Sequence, residues 1–417
     1  MSTTPRARYT NARLIDGISA APVIDAVLVV DDGGEIVYAG PATGAPATPG
    51  TPVTDLGGRT LLPGFIDAHV HFAVGSPGGL TGSLTTRASV RTFETARRMR
   101  QTLHAGITTA RDLGGVDAGY REAVERGLID GPRLRTAVRI LSHTGGHGDF
   151  TLPSGVRINE DITALADTRD QARLETRKLL RDGADVIKLC ATGGMSSPCD
   201  GPDDEGLTEE EIRAVVDETR RHGGRPVAAH AQGTTGIRNA VRAGVTSVEH
   251  GYGADAECRE LMGEHGTFLV PTLSTVFRMP ERGTIPDYHW QKKTRWAGIT
   301  KENVGAAIEA GVTIALGTDS GMCPHAENLS ELGYLVELGM NPMAAIHAST
   351  RNAARLLGME DRVGTVEAGK LADFVVTDAD PLTDIGALAD ASAIVLVAQG
   401  GRVCKDTRAG RPAGGTA

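Results

Sequence analysis

The middle of the chain repeats one pattern: a short apolar run, a turn, then a stretch with apolar residues at helical spacing. The runs are "GFIDAHV", "GITTARDLG", "RLRTAVRIL", "ADVIKLCAT", "PVAAHAQG", "VTSVEHG", "TFLVPTL" and "VTIALGTD". Stretches such as "RTFETARRMRQTLHA", "TRDQARLETRKLLRDG" and "TEEEIRAVVDETRRHG" separate them and close on glycine or a basic residue, as helices do. This alternation predicts an α/β fold with a parallel sheet, and eight units are what close a (β/α)8 TIM barrel. The two ends read differently. "ARYTNARLID", "APVIDAVLVVDDGGEIVYAG", "GTVEAGKLADFVVTDAD" and "ASAIVLVAQGGRVCK" are strand-like with glycine-rich turns, and "DDGGEI" reads as a hairpin.

Titratable groups interrupt the apolar runs. His69 and His71 end the first, Lys188 lies in the fourth, His230 in the fifth, His250 ends the sixth and Asp319 ends the eighth. In a strand, residues i and i+2 point to one face, so His69 and His71 project into a common space. An isolated pair of this kind is commonly held by backbone carbonyls. So many intrusions near the same end of one barrel, where such folds place their chemistry, call for a shared partner. Imidazoles with a carboxylate suit zinc or a similar divalent ion. Lys188 is the odd member, because a buried ammonium repels a dication and is costly when unpaired. Carboxylation of its amine by CO2 gives a carbamate, an anion with one oxygen for each of two ions.

Hydrophobic content of 40% and charged content of 23% are ordinary for a soluble globular protein of 417 residues. The net charge of -9, without a dense basic block, argues against a nucleic-acid surface. No apolar run approaches the ~20 residues that span a bilayer, and the first twenty residues lack a signal-peptide core. Five cysteines with no Cys-x-x-Cys pair fit a reduced, cytoplasmic setting rather than a disulfide framework.

Taken together, "PGFIDAHVH", "DVIKLCATGG", "VAAHAQG", "SVEHG" and "LGTDSG" resemble the amidohydrolase superfamily, and the flanking "YTNARLIDG", "NPMAAIHASTRNAARLLG" and "VGTVEAGKLADFVVTDADPL" extend the resemblance over nearly the whole chain. The likeness is to the imidazolonepropionase-related group, which includes Xaa-Pro and Xaa-Arg dipeptidases and ochratoxin-cleaving amidases. It implies a barrel over residues 62–363 and a small β-sandwich domain built from 1–61 and 364–410. It also implies two divalent ions, zinc by expectation: His69, His71 and Asp319 hold one, His230 and His250 the other, and N6-carboxylated Lys188 bridges them. The expected reaction is hydrolysis of an amide bond in a dipeptide, N-acyl amino acid or similar small molecule by a metal-bridging hydroxide. Asp319 would act as base and then acid. Homo-oligomers are common by the same analogy.

"SHTGGHGD" offers His143 as the group that polarises the substrate carbonyl, with His147 as a weaker candidate. Tyr252 and His325 are further substrate-binding candidates, and Arg278, Arg282 and Lys292 are candidates for meeting a substrate carboxylate. The loop after the fourth run, residues 192–207, reads either as a lid or as an ordinary solvated loop. The aromatic cluster around Trp290 and Trp296 reads as a substrate wall, a subunit contact or plain helix packing. Carbamates, ureas, esters and lactones remain alternatives, because the same site attacks any acyl centre. A mononuclear ring deaminase fits less well. In "HAQG" the glutamate such enzymes carry three residues after the strand-five histidine is missing, and Lys188 would have no role.

Overall fold

The computed structural model describes residues 4–75, 85–151, 154–157 and 162–408. The end of the expected small domain at residue 410 lies outside them. Strands β1 (Pro5–Leu14), β2 (Val23–Asp31), β3 (Ile36–Pro41), β4 (Val53–Asp55) and β5 (Thr60–Pro63) open the chain. The central region carries β6 (Phe65–Val70), β7 (Ile107–Asp112), β8 (Arg133–Thr136), β9 (Ile140–Ser142), β10 (Thr163–Leu165), β11 (Ile187–Cys190), β12 (Val227–Ala231), β13 (Ser247–His250) and β14 (Phe268–Val270). Strands β15 (Phe374–Thr377), β16 (Ile394–Gln399) and β17 (Arg402–Asp406) follow near the end.

Both ends of the chain enter one eight-stranded sheet, in the order β17-β16-β15-β5-β1-β2-β3 with β4 beside β1. The hairpin expected at "DDGGEI" joins β2 to β3. Alternate residues of these strands, among them Leu28, Val30, Leu61, Phe374, Val376 and Leu396, pack into a core of their own. Gly34, in the hairpin turn, shows how tightly the ends meet. It has φ +79°, and a Cβ there would lie 2.1 Å from the carbonyl oxygen of Gly400.

The central strands form two parallel sheets, β10-β9-β11-β12-β13-β14 and β6-β7-β8. Helices between them bury their apolar sides against the strands, for example Ile212, Val215 and Val216 of Glu209–Arg221 and Ile237, Ala240 and Val241 of Thr234–Ala243. Glu209–Arg221 starts with a capping box, Thr208 and Glu211 each satisfying the other's backbone N–H.

Two of the expected runs differ in detail. The third run breaks at Val138, whose φ is +65°, so it supplies both β8 and β9, and β9 gains an unforeseen neighbour in β10. The eighth run is extended but makes only isolated bridges, at Ile314 and Ser320. It still links the two sheets. Ala315 N donates to Leu269 O (3.0 Å), Ala68 N donates to Leu316 O (2.9 Å) and His71 N donates to Ser320 O (2.7 Å). Asp319, at the end of this run, sits at φ +56°, outside strand geometry.

Asp67 stitches β6 to that run. Its carboxylate accepts from Thr318 Oγ1 (2.6 Å), Asn328 Nδ2 (2.7 Å), His69 N (3.0 Å) and Thr318 N (3.2 Å). Among the described residues no helix is long and apolar enough to cross a membrane. All five cysteines are unpaired.

The close approach at Gly34 generates a test. Gly34→Ala forces both the backbone and the Gly400 carbonyl to move and should cost about 2–4 kcal/mol, seen as a lower thermal midpoint. Gly58→Ala, at a similar φ of +80° with nothing within 4 Å, should cost only about 1 kcal/mol.

Candidate active site

The site forms where parallel strands end together. Strand alternation places Lys188 above Val186 and His230 above Ala228, and Val186 and Ala228 pack with Leu113 and Ala137 as a small apolar floor. Above it, rings and carboxylate meet in a chain of contacts. The ring centroids of His69 and His71 are 5.4 Å apart, those of His69 and His250 5.1 Å, and those of His230 and His250 4.5 Å. Asp319 Oδ1 lies 3.4 Å from His71 Nε2 and 3.6 Å from His69 Nε2. Ligand atoms of His69, His250 and Asp319 all fall within 4.8 Å of one another. His250 and Asp319 both adopt positive φ, +73° and +56°, conformations that non-glycine residues hold only when their surroundings enforce them.

Each imidazole is fixed through one nitrogen, leaving the other free to bind. His69 Nδ1 bonds Glu249 Oε2 (2.8 Å), His71 Nδ1 bonds Gly114 O (2.8 Å), His250 Nδ1 bonds Thr272 Oγ1 (2.7 Å) and His230 Nε2 bonds Gly193 O (3.0 Å). This is how metal-binding histidines are oriented.

Electrostatics points the same way. Burial, the largest cause, pushes the pKa of His69, His230 and His250 well below the ordinary value and that of His71 to about 4, which favours the neutral imidazole in all four. Burial also pushes the Asp319 carboxyl up to about 7, against the opposing pull of Lys188. Lys188 is itself lowered by burial. Its Nζ, like Asp319 Oδ1, is buried without a hydrogen-bond partner. Two ligands on a tetrahedral ion with bonds of roughly 2.1 Å stand roughly 3.4 Å apart, as these nitrogens and this oxygen do. The residues present therefore fit a divalent metal.

The sequence reading missed the network behind His69. Arg111, one of the largest fully buried side chains, donates from Nη2 to Glu249 Oε1 (2.8 Å) and from Nε to Ala68 O (2.5 Å). Ser247 Oγ also donates to Glu249 Oε1 (2.5 Å). The signal was available: an arginine in "TTARDLG" and a glutamate in "SVEHG" are opposite charges inside apolar runs, the same anomaly that marked the histidines.

The substrate candidates separate. His147, not His143, stands against the cluster: its ring stacks on His230 with centroids 4.3 Å apart, while Nδ1 lies 3.7 Å from Asp200 Oδ1. His143 bonds the Thr144 carbonyl of its own loop through Nδ1 (2.9 Å). Tyr252 lies behind His250. It is wholly buried, its hydroxyl bonded to Thr275 Oγ1 (2.6 Å) and Thr272 Oγ1 (3.0 Å), and it braces His250 from behind. His325 stacks on Phe72 at 5.6 Å with Nε2 3.3 Å from Val74 O, supporting the segment after β6. Arg278 pairs with Glu327, and Arg282 lies over the ring of Trp290. Lys292 donates to main-chain carbonyls. Trp296 is buried with Met195, Tyr252 and Val276, which is helix-and-loop packing rather than a substrate wall.

Residues 60–404 match the Amidohydrolase family. The chain is 34% identical to the ochratoxinase of Aspergillus niger over 83% of its length and 75% of that protein. It is 26% identical to the imidazolonepropionase of Hyphomonas neptunium, over 89% of this chain and 93% of that one. The crystal structure of a Xaa-Pro dipeptidase with bound methionine in the active site superposes with a TM-score of 0.86 at 31% identity, covering 95% and 99% of the two chains. That of A. niger ochratoxinase gives 0.85 at 31% identity, covering 97% of each. Family, neighbours and strand order together give a TIM-barrel-like α/β fold. The chain belongs to the amidohydrolase family, in its imidazolonepropionase-related group, and is a hydrolase acting on C–N amide bonds.

Proposed function

We propose that this protein is a binuclear zinc amidase that cleaves compact amides, a dipeptide or an N-acyl amino acid. The observation that carries the reading is Lys188. Its nitrogen is buried, without a hydrogen-bond partner, among four imidazoles and the Asp319 carboxylate. An ammonium placed there beside dications would be repelled, whereas a carbamate made from it is an anion with two oxygens. In this assignment His69, His71 and Asp319 hold one zinc, His230 and His250 the second, and carboxylated Lys188 joins them. The dipeptidase relative supports the substrate class, since its name describes an enzyme cleaving the amide bond between two amino acids. The same likeness supports a closed eight-fold barrel over 62–363, with the end segments as a separate β-sandwich domain.

Zinc held by these residues would supply an activated water near neutrality and polarise the scissile carbonyl. The remaining work falls to the chain. Asp319, raised toward neutrality by burial and aimed at the same space as both His69 and His71, takes the proton from the attacking water at Oδ. It then returns the proton to the leaving nitrogen, so the amine departs neutral. His147, stacked on His230, stands at the edge of the site within reach of a substrate's polar end. Glu249 and Arg111 keep the His69 ring in one orientation throughout.

Metal analysis after equilibration with zinc and bicarbonate should return close to two ions per chain. Lys188→Ala should hold fewer and lose its activity on dipeptides and N-acyl amino acids. Equal metal loading and equal rates in both proteins would reject the bridge.

Glu249→Gln separates the support from the ligands. It should weaken metal retention about 10–100-fold in a chelator competition. It should also lower stability by about 3–5 kcal/mol in denaturant, because the buried Arg111 loses its counter-charge.

A further inference from the structure

The loop after β11, which the sequence offers either as a lid or as a solvated loop, is tied to a neighbouring helix. The helix Asp287–Glu309 grips it from the side. Lys292 Nζ donates to Ser197 O (2.7 Å), Gly194 O (3.3 Å) and, in a short contact, Asp200 O. An ammonium has three N–H bonds, and here each finds a main-chain carbonyl of one turn. One helical turn earlier, Tyr288 Oη donates to Ser196 O (3.1 Å), and the Lys292 ammonium lies 5.5 Å from the Tyr288 ring centroid. Arg295 pairs with Asp203 (3.1 Å) on the same side of the helix. Met195, between the gripped carbonyls, is buried against Tyr252, Val276 and Trp296.

The gripped turn touches the site at two points. Gly193 O, next to the gripped Gly194, bonds His230 Nε2 at 3.0 Å. Asp200, whose carbonyl Lys292 holds, accepts from Gly194 N at 2.8 Å through Oδ1, and the same oxygen faces His147 Nδ1 at 3.7 Å. His147 in turn stacks on His230. The close fit leaves little slack: a Cβ on Gly194 would lie 2.2 Å from His147 Cε1, and one on Gly193 would lie 2.4 Å from Gly201 O.

We propose that Lys292 is a positioning residue: by gathering the carbonyls of Gly194, Ser197 and Asp200 it locks the loop, so that Gly193 holds His230 and Asp200 holds His147 in their working orientations. The basic residue that the sequence offered for a substrate carboxylate instead faces protein oxygens. This inference rests on the reading of His230 as a ligand of the second zinc. The loop is a latch set by the neighbouring helix, and the helix after β14 thereby controls a ligand on β12.

Lys292→Met, Lys292→Arg and the wild type, each loaded with zinc, provide the test. In Lys292→Met we expect chelator to extract one of the two ions about tenfold faster, with the other unchanged. KM for the best dipeptide or N-acyl substrate should rise about tenfold with a smaller change in kcat, and limited proteolysis should cut within 193–205 faster. Lys292→Arg, which keeps charged N–H donors in place, should restore most of all three. Wild-type ion release, KM and proteolysis in Lys292→Met would overturn the proposal. If the wild type itself binds a single ion, the binuclear reading fails, and the latch is then judged by KM and by cleavage of the loop. Should Lys292→Met not fold, Tyr288→Phe removes the Ser196 contact alone and is read the same way, unchanged cleavage and KM again counting against the latch.

Discussion

Charge inside the buried site has to be matched, because unpaired ions are expensive where water is excluded. The buried carboxylates Glu249, Asp67, Asp112 and Glu331 obey this. Glu249 meets Arg111, Ser247 and His69; Asp67 accepts four hydrogen bonds; Asp112 caps the amides of Phe72 (2.7 Å) and Gly114 (3.0 Å). Glu331 accepts from Leu273 N and from both the amide and the hydroxyl of Ser274. The Lys188 nitrogen and Asp319 Oδ1 are among the buried atoms left without a hydrogen bond, and both lie at the centre of the site. The surrounding shell orients the rings of His69, His71, His230 and His250 through one nitrogen each.

Much of this was legible in the sequence, and for one reason. A polar residue inside an apolar strand run is an anomaly that must be accounted for, and His69, His71, Lys188, His230, His250 and Asp319 all announced themselves that way. The parallel α/β organisation followed from the alternation of runs and helical stretches, and the pairing of β11 with β12 and of β12 with β13 follows their order in the chain. What stayed hidden depends on direction rather than identity. Spacing says that His143 and His147 share a loop; it does not say which ring turns toward His230. The sequence offered Lys292 for a substrate carboxylate, but the carbonyls that capture it lie about ninety residues earlier. Backbone strain was equally silent, since Val138 and Asp319 take positive φ without a glycine to advertise it.

The positive-φ residues mark a division of labour in the structure. His250, Thr272 and Asp319 lie at or just beyond the ends of the strand segments, and all three belong to the site or touch it. Regular strand geometry carries the chain up to the site. Departure from it then aims the side chains. The eighth run shows the trade most plainly: it gives up a continuous ladder, keeps isolated bridges to its neighbours, and gains an Asp319 whose carboxylate faces two histidines.

The order of the outer sheet has a consequence for how the protein is made. β5 lies between β1 and β15, and its partner Phe374–Thr377 leaves the ribosome some three hundred residues after it. Until then Thr60–Pro63 is an exposed hydrogen-bonding edge of wholly buried-type residues, adjoining the strand that starts the site. Contacts this distant along the chain close slowly. Any messenger truncated before that point would therefore yield a chain whose unfinished edge is open to pairing with a neighbour, and release of the last strands is the step that ends its vulnerability to aggregation.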